Sequence, residues 1–497
     1  MAIYYVKTGG NDGYTGLSDG QAWATIEQVQ SVVTSGDTVY FRSQDTWSYV
    51  SGQYILNPTA GVTYDGSTYG SGTMATLLNT SLPSYASLVN ISSSNVTFRG
   101  FNVNAASHNM FSGIGVGGSG DYIATSNISG ITIDNCVVHD VGATDTWQYG
   151  IWVGPIYADT TISNVTITNT TVYNTSHEGI AIYPSWGQHD NHCDTITVRG
   201  CTIYGTGIHG STVGFALTVV NHVSNATIEN NTIGNDSSTN YVGILVRTSP
   251  LSDDTEGNVI AAPTNVVIRN NLIQYNTGSG IETYNYRDAA QATPGFTMSV
   301  DIYNNFLLNN GTISSHASDM DFDGDNATVP STINIYNNTI YNTVSSSAKG
   351  VINFISGSYV GVPAKETTVY TLKNNIIYST TPIPLINNSL STVTHNNNLY
   401  YTSGDTYAKS GATTYTATTV NSTWETTCQN TDPLLTGYVL LPDSPCIRAG
   451  LTIESVTHDI DGYKRPGRPG NKYSIGCCEY LGTNDPDMNE RCRLPYR

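Results

Sequence analysis

Val165-Thr166-Ile167-Thr168-Asn169 decides how the chain is read: apolar and polar residues alternate over four positions, and a residue tolerant of a left-handed bend closes the run. The same pattern stands in Val96–Gly100, Ile131–Asn135, Ile196–Gly200 and Ala226–Asn230. It returns in Val266–Asn270, Val300–Asn304, Ile333–Asn337 and Tyr370–Asn374. From Gly100 to Asn374 the closing residue moves 274 positions in eight steps, a period of about 34 residues, which is the range of solenoid repeats. Alternation at period two marks each run as a β-strand with one face buried.

Three residues past each closing residue stands another apolar side chain: Val103, Val138, Val172, Ile203, Ile233, Ile273, Leu307, Ile340 and Ile377. A second short strand therefore follows the bend. The closing residue is Asn seven times and Gly twice, the types that enter positive φ at least cost. Stacked Asn side chains at this position are expected to hydrogen-bond along the axis. Some ten residues later comes a third strand, as in Gly150–Val153, Gly179–Ile182, Gly214–Leu217, Gly243–Val246 and Gly280–Thr283. Three short strands per repeat make one coil of a parallel β-helix, in which each coil covers the strand edges and apolar column of the last. The surplus length emerges as loops on one side, notably between Tyr183 and Ile196 and between Thr248 and Asn265.

Composition agrees with an all-β chain. Charged residues are 11% and hydrophobic residues 38% of 497, with 34 Tyr among them; typical domains carry roughly 25% and 45–50%. Helices with charged outer faces cannot be built from such a sequence. A formal charge of −19 repels phosphate backbones and anionic membrane surfaces, so nucleic acid is not an expected partner. No run of 18 apolar residues offers a membrane span, and Met1–Tyr5 lacks the basic and apolar segments of a signal peptide. Eight Cys are too few for a disulfide scaffold. Cys428 and Cys446 could pair, while Cys477 and Cys478 read as packed thiols.

A solenoid needs covered ends. Ala22–Val29 has helical apolar spacing and precedes the strand Asp37–Arg42, which together suit an N-terminal cap over residues 1–95. Repeats with loops on one face fill 96–400. In 401–497 Pro and Gly rise through Asp432-Pro433-Leu434, Ser444–Gly450, Asp459–Pro466 and Ile475–Tyr480, an irregular C-terminal coil and cap. The opening Tyr4–Val6, Asn11–Gly13 and Trp23–Ile26, the Gly36–Val39 strand and these C-terminal motifs resemble the right-handed parallel β-helix group that includes pectate-lyase-like carbohydrate enzymes and phage depolymerases. The resemblance spans nearly the whole chain. It implies a single-stranded right-handed parallel β-helix, a polysaccharide partner and an extracellular or virion-associated place, as monomer or trimer. It leaves the reaction open, because the fold hosts hydrolases, lyases, epimerases and adhesins.

Chemistry is sought on the outward face of the third strand. Ile and Val of each Gly-Ile-x-Val point inward, so x and the residue after Val point out. One outward column is expected to read Trp152, Ala181, Ala216, Leu245, Glu282, Asp321 and Asn353, and the next Gly154, Tyr183, Thr218, Arg247, Tyr284 and Asp323. Coils are about 4.8 Å apart, which places Glu282 beside Asp321 with Asp323 close by. Like charges so near divide into an acid and a carboxylate, the pairing that glycoside hydrolysis uses, with no cofactor required. Tyr183, Tyr284, Trp152 and Trp186 are candidates for sugar stacking, with Arg247, His177 and Glu178 along the same groove. The His177-Glu178 pair reads first as polar surface, and His189, Asp190 and His192 as a loose set without a third ligand of defined spacing.

Asp319-x-Asp321-x-Asp323-Gly324 copies the first half of a calcium loop, but Pro330 stands where the bidentate Glu belongs. Carboxylates projecting from stacked coils remain a calcium candidate. Calcium would suit a lyase or epimerase on uronates, with Arg247, Arg287, a His or a Tyr as base, since no Lys lies between Lys7 and Lys349. The expected activity is cleavage of a neutral or weakly charged polysaccharide by Glu282, Asp321 and Asp323. The alternatives are that calcium-assisted lyase or epimerase and a non-catalytic glycan-binding adhesin or phage spike.

Overall fold

The computed structural model describes residues 1–49, 55–81, 85–119, 122–144, 147–156, 159–184, 191–208, 214–237, 240–248, 261–285, 297–312, 318–323, 330–344, 350–355, 368–388, 392–467 and 470–482. Two compact units divide the chain, the first holding Met1–Thr227 and the second Ile228–Pro250 with Ala261–Arg497. Each is built of three parallel sheets to which successive coils add one strand apiece. The fold is a right-handed parallel β-helix. No described helix is long and apolar enough to cross a membrane.

The alternating runs form the first sheet. In the first unit Ile131 pairs with Val165 and Val165 with Ile196; in the second Val266 pairs with Val300, Ile333 and then Tyr370 in succession. Their inward side chains are fully buried, a gain of roughly 1.5–3 kcal/mol for each large apolar side chain removed from water. All nine closing residues adopt positive φ, from 50° at Asn135 and Asn169 to 72° at Gly100. The bend places the second strand at an angle to the first, and Val138, Val172 and Ile203 stack there.

Asn stacking is present at the bend between Asn374 and Asn337, and as a longer row one residue later. The ladder runs through Asn271, Asn305, Asn338, Asn375 and Asn398, all buried. Asn305 shows the unit: its backbone N–H and its Nδ2 both donate to Asn338 Oδ1 at 3.0 Å, and Nδ2 also donates to Ile268 O at 2.9 Å. At the bend itself Asn374 Nδ2 donates to Asn337 Oδ1 at 3.2 Å, whereas the next residue points in, and there each amide meets its counterpart on the adjoining coil in an unbroken row. Glu425 ends the row, accepting from Asn398 N at 2.7 Å and Tyr400 Oη at 2.8 Å.

At the N-terminal end the helix is α1, Ile26–Val32, with Thr25 as its N-cap accepting from Gln28 N at 3.2 Å. Ala22 and Trp23 precede it as extended chain: Trp23 bridges Val6 and stacks on Tyr4 at 4.4 Å. Asp12 ties the two parts, accepting from Ala24 N and from Thr25 N and Oγ1. In the C-terminal region buried Arg465 pairs with Glu479 at 3.1 Å and donates to Asn304 Oδ1 and Gly476 O. Cys428 and Cys446 are separate thiols, and Cys477 and Cys478 lie in an apolar cluster with Phe306 and Tyr438.

Candidate functional site

In the second unit the third-sheet strands Val242–Thr248, Ile281–Asn285, Met320–Asp323, Ile352–Ile355 and Ile386–Asn388 lie in order. Leu245 pairs with Glu282, Glu282 with Asp321, Asp321 with Asn353, and Asn353 with Asn387. The reason is the inward pattern: Ile281, Thr283, Met320 and Phe322 are all buried, and Phe322 stacks on Phe354 at 5.4 Å inside the coil. Period two then turns Glu282 and Asp321 outward. Glu282 is half-buried, while Asp321 is only 4% exposed. Asn353 Nδ2 donates to Asp321 Oδ1 at 2.9 Å, and Asn387 Nδ2 donates to Asn353 Oδ1 at 2.8 Å, so two amides fix the Asp321 carboxylate from one side.

The next outward column pairs Arg247 with Tyr284 and Tyr284 with Asp323. Arg247 Nη1 donates to Tyr284 Oη at 2.7 Å, and its guanidinium lies 5.7 Å from the ring centre. Asp323 is on its strand, with its side chain outside the described set. The chain thus brings Glu282, Asp321, Arg247 and Tyr284 onto one face.

Asp319 does not share that face. Its Oδ1 accepts from Asn310 N and Nδ2 at 3.0 and 3.1 Å and its Oδ2 from Asn342 Nδ2 at 2.7 Å, deep in the interior. It closes a second amide row through Asn240, Asn276 and Asn310. Burial pushes its carboxyl up to about 7. The sequence repeat Asp319-x-Asp321 suggests a shared side, but the chain turns a corner between the second and third strands, and the corner reverses the alternation.

In the first unit the outward column holds Gly115, Trp152, Ala181 and Thr218 in register. The Gly-x-x-x pattern beginning at Gly214 predicts Ala216 in that column, and the register places Thr218 there. Ala216 O instead lies against Gly179, where the corner sits, and Leu217 and Val219 take the inward places of Ile180 and Ile182. The alternation Leu217-Thr218-Val219 was the available signal. Trp152, expected to stack on sugar, is 2% exposed. Small neighbours on both adjoining coils leave room for its indole to lie down, where it meets Phe111 at 5.0 Å and packs with Tyr149 and Ile156. Tyr183 is likewise 2% exposed. Neither is a stacking surface in this structure. Trp186, Arg287, His189 and Asp190 lie outside the described residues.

His177 and Glu178 are not polar surface: they are 2% and 0% exposed. Thr218 Oγ1 donates to Glu178 Oε2, and His177 Nδ1 stands 3.4 Å from Glu178 Oε1. Trp147, half in solvent, lies over the His177 ring with centres 4.4 Å apart. Thr218 and Trp147 were missed as members of this group, since only the folded register brings them to Glu178. His192 bonds Ser224 Oγ at 2.8 Å through Nε2 and is burial-lowered in pKa.

Neither a family profile nor a curated protein matches the sequence. Solved structures do match in fold. A XylC structure with xylose aligns over 96% of this chain and 98% of its own, at 11% identity and a TM-score of 0.54. The A-module of Azotobacter vinelandii mannuronan C-5 epimerase AlgE6 aligns over 86% and 100%, at 14% and 0.56, and that of AlgE4 over 82% and 97%, at 16% and 0.52. This chain is similar to these carbohydrate-active parallel β-helix proteins in fold.

Proposed function

We propose that the protein is an extracellular or virion-associated polysaccharide-active enzyme and that it cleaves a neutral or weakly charged glycan by hydrolysis at Glu282 and Asp321. The observation that carries this is the direct pairing of the two residues on adjoining strands of one outward face. Strands lie about 4.8 Å apart, close to the roughly 5–5.5 Å that a retaining pair of carboxyls needs. Asn353 donates to Asp321, which suits Asp321 as the carboxylate that attacks the anomeric carbon. Glu282, nearer to solvent, then protonates the departing oxygen and later draws the proton from water. Tyr284 and Arg247 border the pair and would orient the sugar.

The Arg247–Tyr284 hydrogen bond favours one other reading. An arginine beside a tyrosine can neutralise a uronate carboxylate and lower the cost of forming a phenolate that removes the C5 proton, which is lyase or epimerase chemistry. The epimerase modules of similar fold support that reading as well. Calcium, if used, would be held by Glu282 and Asp321 with Asp323, and would supply charge neutralisation at the uronate.

Incubation with a panel of neutral and uronic polysaccharides, with calcium or with chelator, separates these. Reducing ends without absorbance near 235 nm support hydrolysis. Glu282→Gln and Asp321→Asn are each expected to lower it at least a hundredfold, and full activity in both removes the site. Absorbance lost on chelation moves the reaction to a calcium-assisted lyase. Silence in both channels leaves a glycan-binding adhesin or spike.

A further inference from the structure

Another feature of the second unit has the chemistry of a sugar site, on the outer face of the second sheet. Leu308 pairs with Tyr341, Tyr341 with Tyr378 and Tyr378 with Tyr401, so one outward column carries three tyrosines. The Tyr341 and Tyr378 rings stack at 4.8 Å, and Tyr401 lies tilted against Tyr378 at 5.5 Å. Facing them, the chain passes through Asp432-Pro433-Leu434 into the hairpin Leu435–Thr436 and Val439–Leu440. Between column and hairpin lies a cavity of about 280 Å³, walled by Phe306, Tyr341 and Tyr378 on one side and by Leu435, Leu441 and Asp432 on the other.

Three properties of this cavity point to a ligand rather than to a packing defect. Its volume falls just below the range of about 300–1,000 Å³ typical of small-molecule sites, and its lining joins aromatic and leucine side chains to polar atoms and one carboxylate, the mixture that a sugar ring with an apolar face and a hydroxyl rim requires. Leu434, at the lip, holds φ at 51°, a left-handed conformation that a bulky residue keeps only where its surroundings impose it, and such positions cluster at ligand clamps. Asp432 is exposed and accepts from Leu434 N at 2.8 Å, which aims its carboxylate from a fixed turn. Burial, then Tyr341 and Asp432, push the Tyr378 phenol up to about 12.

We propose that this cavity is a binding subsite for one neutral sugar ring of a glycan, on a different sheet from the carboxylate pair. The sugar ring packs against the open edges of the stacked Tyr341 and Tyr378 rings and against Leu435 and Leu441, and its hydroxyls donate to Asp432. No Lys, Arg or His is among the described residues lining it, so a uronate would meet a like charge and no counter-ion. The subsite rests on the reading of the protein as polysaccharide-active, and deepens it: the chain holds its substrate at a second point, which raises effective concentration at the first.

The test is calorimetric titration of the intact chain with cellohexaose, xylohexaose and mannohexaose, and with galacturonate and mannuronate hexamers. A neutral hexamer is expected to bind, Tyr378→Ala to weaken it at least about tenfold, and Asp432→Asn, which preserves the turn acceptor, by about fivefold. Should Tyr378→Ala unfold, the exposed Asp432→Asn change carries the result. Glu282→Gln should bind as the parent does while losing cleavage. Unchanged affinity in the Asp432 and Tyr378 variants overturns the subsite, as does binding of uronate hexamers alone or of none. Retained cleavage in Glu282→Gln with lost binding in Tyr378→Ala leaves the subsite standing and removes the hydrolytic pair instead.

Discussion

One residue past the bend, the two units solve the same problem with different side chains. The first unit places Phe101, Cys136, Thr170 and Cys201 there, and the second places Asn231, Asn271, Asn305, Asn338, Asn375 and Asn398. Each position is inward and fully buried, beside carbonyls at the end of the first strand. Cys136 Sγ, Thr170 Oγ1 and Cys201 Sγ each bond the carbonyl two residues back, within their own coil, at 3.3, 2.8 and 3.5 Å. The Asn side chains add bonds to one another from coil to coil. A small hydroxyl or thiol has few donors and acceptors to share, whereas an amide has more than its own coil can match. The second unit therefore carries a continuous row of amides bonded side chain to side chain, and the first unit carries plugs tied to the adjoining coil only by longer contacts, Cys136 Sγ to Phe98 O at 3.9 Å, Cys201 Sγ to Ile167 O at 3.6 Å and Cys136 N to Thr170 Oγ1 at 3.3 Å.

The sharpest way to break that contrast is Asn338→Ala. It strips the acceptor from Asn305 N and Nδ2 and the donor from Ile302 O. Asn305 Nδ2 keeps Ile268 O, but Asn305 N and Ile302 O lose these buried partners, and at about 1–3 kcal/mol each they predict a loss of about 4 kcal/mol, read by denaturant unfolding. An effect near 1 kcal/mol would mean that the row adds no more than a local bond.

Asp319 offers a second test, through pH. Its folded value of about 7 stands above the 3.8 of the exposed group, so folding is favoured when it is protonated. That contribution is full below pH 4 and is lost as pH rises through 7. Relative to Asp319→Asn, the parent should lose on the order of 2–3 kcal/mol between pH 4 and pH 7.5; parallel stability curves would show that Asp319 titrates as an ordinary carboxylate.

Thr170→Ala, the first-unit counterpart, is expected to cost only about 1 kcal/mol, because one local bond and the Cys136 N contact at 3.3 Å are all it removes. A loss as large as that of Asn338→Ala would erase the distinction between plug and row. Smallest of all should be the chemistry of the thiols. Burial pushes Cys136 to about 12 and Cys201 to about 11, so neither is a thiolate at neutral pH. A thiol reagent should label neither before the chain unfolds, and replacing Cys201 by Ser should shift stability by less than about 1 kcal/mol.

The outward face of the third strand teaches the same lesson about neighbours. Trp152 sits between Gly115 and Ala181 and lies flat into a buried aromatic cluster. Glu282 sits between Leu245 and Asp321 and stays half in solvent. Both are the x of a Gly-Ile-x pattern, and the local sequence does not separate them.

What the sequence by itself determined was everything carried by short period: the alternating runs, the 34-residue repeat, the nine bends at Asn or Gly, and through them the β-helix and the Glu282–Asp321 register. Each follows from backbone geometry within a few residues, where side-chain direction and φ tolerance leave little choice. Tertiary structure alone decided that the Asn row runs one residue later, that Asp319 turns inward, that Thr218 rather than Ala216 stands beside Ala181, and that His177, Glu178 and Trp152 are covered. The physical reason is common to all four. Corners between strands reset the alternation, and the space open to a side chain is set by residues about one coil away in sequence, so burial and partner are properties of the stack.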